Sequence, residues 1–168
     1  LFRSILDIGT GWGATFQRLL EQGPHDARVV GLDTAYLNLQ IARGRMERSG
    51  MVHGAVVVGD ITRAPFREST FESVVSWFGV GTVPYFRQCL EGIRRVLAPG
   101  FPFAAAWTPT LFADMEGLAG PDVLARLSAR LDIPQSPDMA IDSARMVGFR
   151  DVEVVEVGPI YVLSGRAV

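Results

Sequence analysis

With 168 residues and a mass of 18.3 kDa, the chain is long enough for one domain with a substantial core and too short for two. Its net charge of −2 and its lack of a Lys/Arg cluster argue against nucleic acid as a main partner, and its apolar runs are too short to span a bilayer. The single cysteine, Cys89, excludes an internal disulfide and a cysteine-cluster metal site, so we expect no bound metal. Because the apolar runs are short, we also expect a cytoplasmic protein without a membrane partner.

Three short apolar runs, which we predict to be strands, each end in an aspartate. The first run ends at Asp7, the second at Asp33 and the third at Asp60. The intervals between these aspartates are nearly equal, and each has room for one helix, two loops and the next strand. The intervening segments share no sequence pattern, which excludes a solenoid repeat. The spacing therefore predicts consecutive α/β units.

Helical periodicity appears between and after these strands. Apolar residues spaced three or four apart place one side of a helix against a core. We also predict packing roles for Tyr85, at the start of the third of these helices, and for Cys89, on its apolar side. The positions that predict three core-facing helices are Ala14, Phe16, Leu19 and Leu20, then Leu37, Ile41, Ala42 and Met46, and finally Phe86, Leu90, Ile93 and Leu97.

The second half of the chain adds four strands to this pattern. Residues 73–77 and 101–107 predict a fourth and a fifth strand, and near-continuous apolar strands that alternate with helices favour a parallel sheet covered on both faces. Residues 151–157 and 160–163 predict two more strands, and the link between them is only Gly158-Pro159. So short a link cannot hold a parallel crossover, so this pair is predicted to be an antiparallel hairpin.

The region between the fifth strand and the hairpin predicts helices. Residues 111–131 have a helical pattern with a break near Gly120-Pro121, and a short helix is predicted over residues 140–147. The predicted fold class is therefore α/β: a Rossmann-like, doubly wound, seven-stranded and mostly parallel sheet with an antiparallel C-terminal hairpin strand.

The residues at the strand ends predict a ligand site. Ligands of open α/β sheets bind at the carboxyl ends of the strands, where the glycine-rich turn of residues 9–13 follows Asp7. Glycines let the backbone turn sharply and approach a ligand closely. The carboxylate of Asp33 can accept two hydrogen bonds from a ribose diol, and Asp60 lies at the next strand end, where the base would lie. An alternative role for these aspartates is to cap helices or turns.

The glycine turn is compatible with two cofactors. Residues 9–14 satisfy G-x-G-x-x-A, one form of the dinucleotide fingerprint. However, the carboxylate of Asp7, two residues before Gly9, would oppose the negative charge of a pyrophosphate. S-adenosylmethionine has no phosphate and carries a sulfonium and an ammonium, so nearby acids favour it. We predict S-adenosylmethionine as the cofactor, with an NAD(P)-dependent oxidoreductase as the alternative.

Six segments in order resemble the motifs of class I S-adenosylmethionine-dependent methyltransferases, most closely those of the ubiquinone/menaquinone-biosynthesis-like branch. The resemblance covers nearly the whole chain. It departs from the family pattern at Glu72, where aspartate is usual, and at Phe101, where a second glycine is usual; both are scaffold positions. The matching segments are residues 5–13 (ILDIGTGWG), 30–33 (VGLD), 59–66 (GDITRAPF), 71–75 (FESVV), 94–100 (RRVLAPG) and 146–152 (MVGFRDV).

The resemblance implies a cofactor site and a reaction. Asp33 would hold the ribose hydroxyls and Asp60 the adenine amino group, while Trp77 and Phe78 would line the cavity beside the methionine part; for Trp77, plain core packing is the alternative. The reaction implied is in-line methyl transfer to a small-molecule acceptor, with no catalytic base assigned. The implied cofactor-binding residues are Asp7, Gly9, Thr10, Gly11, Gly13, Asp33, Thr34, Asp60, Ile61, Trp77 and Phe78.

The resemblance also concerns the organisation of the protein. The family has an N-terminal helix that helps to cover the cofactor, and we expect residues 1–168 to form a single domain that lacks this helix. A homodimer is compatible with this organisation. A non-catalytic cofactor-binding or partner subunit with the same fold is a further alternative to the enzyme.

Overall fold

In the computed structural model, one seven-stranded sheet is flanked by helices. The structure describes residues 2–24, 26–50, 52–108, 132, 134 and 136–168. A short 3₁₀ helix, Ile61–Arg63, follows the third strand. The strands are β1 (Ser4–Ile8), β2 (Arg28–Asp33), β3 (Gly54–Val58), β4 (Ser73–Trp77), β5 (Pro102–Trp107), β6 (Phe149–Val157) and β7 (Ile160–Ala167). The described α-helices are α1 (Ala14–Gln22), α2 (Tyr36–Arg48), α3 (Phe86–Val96) and α4 (Pro137–Met146).

The strand order of the sheet is β3-β2-β1-β4-β5-β7-β6. The first five strands pair in parallel, whereas β7 runs antiparallel to both β5 and β6. The predicted fold class, including the C-terminal hairpin, is confirmed. The chain moves outward in one direction through β2 and β3 and in the other through β4 and β5, so β1 and β4 meet at the switch point where such sheets bind ligands.

Two hydrophobic clusters hold the helices against the sheet. The larger cluster lies on the face covered by α3 and α4, where Leu90, Ile93 and Leu97 are fully buried, as predicted. The smaller cluster lies under α1, where Phe16 packs with Ile5 and the start of β2. Since the two clusters are on opposite faces, the parallel strands are covered on both sides, which explains their nearly continuous apolar sequences.

The predicted buried side of α2 is wrong at two positions. Leu37 and Ile41 are 72% and 46% exposed, whereas Leu39 and Ala42 are buried. Apolar residues alternate along this helix, so apolar side chains occur on opposite sides of it and periodicity alone does not select the buried one. The packing of α1 selects it: a Cβ on Gly13 would lie 2.9 Å from the Cβ of Ala42, so the side that carries Ala42 faces inward.

The C-terminal part follows the predicted pattern with shifted boundaries. α4 begins three residues earlier than predicted because Ser136 caps it by accepting a hydrogen bond from the Met139 N–H (3.3 Å), with Pro137 in the first turn. The hairpin carries a register shift between Arg150 and Glu153. The helix predicted over residues 111–131 lies outside the described residues. None of the described helices has the length and apolar character that crossing a membrane requires.

Candidate functional site

The glycine turn after β1 crosses the loop after β4 at very short range. Gly9 has a φ of +70°, and a Cβ on it would lie 2.6 Å from the Cα of Gly79. A Cβ on Gly79 would lie 2.5 Å from the carbonyl oxygen of Ile8. The backbone N–H groups of Gly9 and Thr10 both donate to the carbonyl of Leu32, at 2.8 and 3.2 Å. The turn therefore lies over the end of β2 in a position that only glycine can occupy.

Asp33 joins the glycine turn to the start of α2. Its Oδ2 accepts a hydrogen bond from the Gly11 N–H and its Oδ1 accepts one from the Ala35 N–H, both at 2.8 Å. These hydrogen bonds correspond to the alternative role considered from the sequence, in which the aspartate caps a turn or a helix. Each carboxylate oxygen has a second lone pair, so the same side chain can also accept hydrogen bonds from two ligand hydroxyls.

Asp60 precedes the 3₁₀ helix and caps it. Its Oδ1 accepts hydrogen bonds from both the N–H and the hydroxyl of Thr62, each at 2.9 Å. No described residue donates to its Oδ2. The carboxylate is thus held in a fixed orientation and retains an acceptor oxygen for a donor such as an exocyclic amino group.

A cavity of about 220 Å³ opens at the carboxyl ends of β1 to β4. It brings together six of the predicted residues: Gly9, Asp33, Thr34, Asp60, Ile61 and Phe78. The remaining lining residues were not predicted to bind the cofactor. They are Ile8, Leu32, Gly59, Gly79, Val83, Tyr85 and Cys89. Gly59 and Gly79 adjoin predicted residues in sequence, a signal that could have identified them. Ile8 and Leu32 belong to predicted strands, Tyr85 and Cys89 were predicted to pack, and Val83 had no sequence signal.

Five predicted residues lie outside the lining of this cavity. Thr10, Gly11 and Gly13 form the turn, and Asp7 lies buried at its base. Trp77 is half exposed and shares a separate depression with Thr15 and Leu19 of α1. Successive residues of a strand face opposite sides of a sheet, and this alternation directs Trp77 toward α1. The structure therefore places Trp77 neither in the cavity nor in the core.

Asp7 is the buried ionisable group of the site. It is 1% exposed, its Oδ2 accepts a hydrogen bond from the Thr10 hydroxyl at 2.6 Å, and its Oδ1 has no partner among the described residues. Burial raises the pKa of Asp7 to about 7; the hydrogen bond from the Thr10 hydroxyl and the nearby Phe16 backbone N–H oppose this rise, and the negative charge of Asp33 adds to it. In its ionised form this buried carboxylate fits a cationic ligand and disfavours a phosphate. The residues present therefore fit S-adenosylmethionine.

The described residues offer no nucleophile or metal centre in the cavity. Burial, together with the charges of Asp60 and Asp132, raises the pKa of the Cys89 thiol to about 12, so this side chain is a neutral wall residue. Among the described residues, no three His, Cys, Asp or Glu side chains are grouped closely enough to hold a metal ion.

The family model described as "Methyltransferase domain" matches residues 5–100, which contain the glycine turn, Asp33, Asp60 and the whole of α3. The chain belongs to this methyltransferase domain family. S-adenosylmethionine is accordingly the cofactor of this methyltransferase domain, and the dinucleotide alternative is not favoured.

Sequence relatives agree with this assignment. A demethylmenaquinone methyltransferase of Thermus thermophilus is 36% identical over 98 residues, which are 58% of this chain and 44% of the relative. A second one, of Thermotoga maritima, is 32% identical over 93 residues, 55% of this chain and 38% of the relative. The methyltransferase domain thus spans less than half the length of the curated relatives that it matches.

Solved structures share the fold. An S-adenosylmethionine-dependent methyltransferase from Aquifex aeolicus superposes with a TM-score of 0.76 at 21% identity, over 99% of this chain and 82% of that chain. The [4+2]-cyclase SpnF superposes with a TM-score of 0.75 at 16% identity, over 98% and 75%. Since one of these proteins is named as a cyclase, the shared fold does not by itself determine the reaction.

Proposed function

We propose that the chain is the catalytic domain of an S-adenosylmethionine-dependent methyltransferase that acts on a small molecule. The observation that carries this proposal is the cavity at the carboxyl ends of β1 to β4, where Gly9, Asp33 and Asp60 meet at the switch point of the sheet. Family membership supports the same reaction. An oxidoreductase would need a phosphate-binding turn, which the buried Asp7 opposes.

Each group in the site has an assigned role in this proposal. Asp33 accepts the ribose hydroxyls and Asp60 accepts from the adenine amino group, while Gly9 lets the backbone approach the cofactor closely. Asp7 lies beneath the turn, where the negative charge of its ionised form favours the cofactor's ammonium. Phe78 has a left-handed backbone with a φ of +61°, which is unusual for a side chain of its size and is a form of strain found at functional sites.

The chemistry requires orientation and a dry pocket. When bound, the cofactor supplies an electrophilic methyl group on a sulfonium, which leaves as a neutral thioether. The apolar walls formed by Ile8, Leu32 and Val83 exclude water from the reacting groups, and positioning contributes much of the rate. We assign no general base, because an acceptor that arrives ionised needs none.

The acceptor that we propose is an aromatic quinone precursor. The sequence relatives named above are demethylmenaquinone methyltransferases, which supports an acceptor of this type. The half-buried Val83 and Tyr85 at one wall of the cavity offer apolar and aromatic surface for such a ring.

Replacing Asp33 by alanine tests the cofactor site. We expect S-adenosylhomocysteine to bind more weakly by about 1–3 kcal/mol, because the ribose hydroxyls lose a charged acceptor. Isothermal titration calorimetry on the full-length protein measures this difference. Asp26→Ala, an exposed aspartate before β2, is the matched control and should bind normally. An unchanged affinity in Asp33→Ala would remove Asp33 from the site.

A thermal-shift comparison tests the choice of cofactor. S-adenosylhomocysteine is expected to raise the unfolding midpoint of the full-length protein, because a ligand that binds only the folded state stabilises it. NADH is expected to leave the midpoint unchanged. The reverse result, stabilisation by NADH alone, would replace methyl transfer by hydride transfer as the function.

A further inference from the structure

One side of α3 runs along the segment that carries Asp60. Cys89, Gly92 and Arg95 follow one another at intervals of three residues, so they occupy neighbouring positions on this side of the helix. Cys89 lines the cofactor cavity, whereas Gly92 and Arg95 lie further along the helix and contact the chain that follows Asp60. The same helix therefore reaches from the cavity to the residues beyond the 3₁₀ helix.

Gly92 lets the 3₁₀ helix lie directly against α3. A Cβ on Gly92 would lie 2.2 Å from the carbonyl oxygen of Ile61 and 2.9 Å from its carbonyl carbon. Ile61 directly follows Asp60, is buried and lines the cavity. Since the contact is between two backbones, no side chain separates α3 from the 3₁₀ helix, and the distance between them is set by atoms that cannot change rotamer.

Arg95 holds the end of the 3₁₀ helix. Its guanidinium donates two hydrogen bonds, from Nη1 to the carbonyl oxygen of Phe66 and from Nη2 to that of Ala64, each at 2.7 Å. The donors of a guanidinium form a rigid planar fork, so the two bonds fix the direction of the peptide groups as well as their position. The N–H of Ala64 in turn donates to the Ile61 carbonyl at 3.4 Å. The segment is thus tied to α3 immediately after the 3₁₀ turn closes.

This attachment determines where the carboxylate of Asp60 points. The 3₁₀ helix has only three residues, so Asp60 and Ala64 are separated by a single turn. Asp60 is coupled to that turn by the two hydrogen bonds that its Oδ1 accepts from Thr62. A displacement of the turn therefore moves Oδ2, the oxygen that remains for a ligand. Because hydrogen bonds weaken steeply as their angle departs from linearity, a small displacement is enough to weaken recognition of an amino group.

We propose that Arg95 is a positioning residue for adenine recognition: by holding the carbonyls of Ala64 and Phe66 against α3, it orients Asp60 toward the exocyclic amino group of the base. The inference rests on the proposed function, in which Asp60 accepts from that group. Arg95 is not among the described residues that line the cavity, so it acts through Asp60 and not by touching the cofactor.

A pair of ligands that differ only in the amino group tests this role. The probes are S-adenosylhomocysteine and its 6-deamino analogue, in which purine replaces adenine, and their dissociation constants are measured by calorimetry on the full-length protein. The wild type is expected to prefer S-adenosylhomocysteine about 10- to 100-fold, the range expected for one hydrogen bond to a charged acceptor.

Arg95→Met removes both donors and keeps an unbranched apolar stem. We expect it to reduce this preference about 3- to 10-fold, because the bond to Asp60 is misaligned, while the analogue binds within about 2-fold of its wild-type affinity. Arg95→Lys, whose ammonium cannot form the fork, should have an intermediate preference. Arg94→Met is the matched control on the same helix. The guanidinium of Arg94 donates to the Val168 carbonyl instead, so this variant should keep the wild-type preference.

The outcomes separate this inference from the proposed function. An unchanged preference in Arg95→Met, even with a loss of stability in chemical denaturation, would overturn the inference and make Arg95 a residue of the scaffold alone. Equal affinity of the wild type for the two ligands would also overturn it, with the cofactor site still in place. A wild type that does not bind S-adenosylhomocysteine would reject the proposed function and the inference together. If Arg95→Met does not fold, the preference of Arg95→Lys decides by the same criterion.

Discussion

Replacing Gly9 by alanine is expected to lower the free energy of unfolding by about 2–5 kcal/mol and to weaken S-adenosylhomocysteine binding. About 1–2 kcal/mol comes from holding a residue with a Cβ in the left-handed region. A further 1–3 kcal/mol, roughly, comes from overpacking, because the new Cβ would lie 2.6 Å from the Cα of Gly79. The glycine turn cannot move away from Gly79 without breaking the hydrogen bonds that the N–H groups of Gly9 and Thr10 donate to the Leu32 carbonyl. Chemical denaturation and calorimetry measure the two effects.

Gly50 separates backbone strain from steric overlap. It has a φ of +65°, close to the +70° of Gly9, but a Cβ on it would have no atom within 4 Å. Gly50→Ala is therefore expected to lose only the conformational part, about 1–2 kcal/mol, and to bind S-adenosylhomocysteine normally. Equal losses of stability in the two variants would show that the crossing of the two loops is not the constraint described above.

Replacing Asp7 by asparagine is expected to remove a pH dependence of stability. The pKa of Asp7 is about 7 in the folded protein and 3.8 ordinarily, so between these values the folded state binds a proton that the unfolded state has lost. The free energy of unfolding of the wild type therefore falls as the pH rises from about 4 to about 7. At about 1.4 kcal/mol per pKa unit, the total is on the order of 4 kcal/mol. The neutral asparagine keeps an oxygen for the Thr10 hydroxyl and has no such penalty.

The measurement is the difference in unfolding free energy between Asp7→Asn and the wild type, from chemical denaturation at pH 4.5 and pH 8. The variant should gain stability relative to the wild type as the pH rises, because only the wild type must bury a charge. Asp26→Asn, which changes an exposed aspartate, should show a pH profile parallel to that of the wild type. Parallel profiles for Asp7→Asn as well would show that Asp7 ionises without penalty.

Most of the fold could be predicted because its signals are local and repeated. The runs that end at Asp7, Asp33 and Asp60 predicted strands with the correct direction, and the two-residue link Gly158-Pro159 could join only an antiparallel pair. The buried side of α2 could not be predicted, since Leu37 and Leu39 are equally apolar. Which of them is buried depends on the contact of α1 with Ala42, which links residues far apart in sequence.

The candidate site was predictable where it depends on strand ends and not where it depends on loop conformation. Asp33 and Asp60 line the cavity because the carboxyl ends of parallel strands meet at one edge. Trp77 was predicted beside the cofactor, but its position along β4 turns it toward the opposite face. Val83 enters the cavity through the path of the loop after β4, which no periodicity describes.

The position of β7 has a consequence for synthesis of the protein. β7 lies between β5 and β6, so the strand made last of the seven is inserted into the sheet and β6 has no neighbour before it arrives. While the chain is still being translated, β1 to β5 can pair and the cofactor side can form. Tyr161 reaches Trp107 only when β7 has left the ribosome. The antiparallel edge of the sheet is therefore completed after the parallel part that forms the cavity.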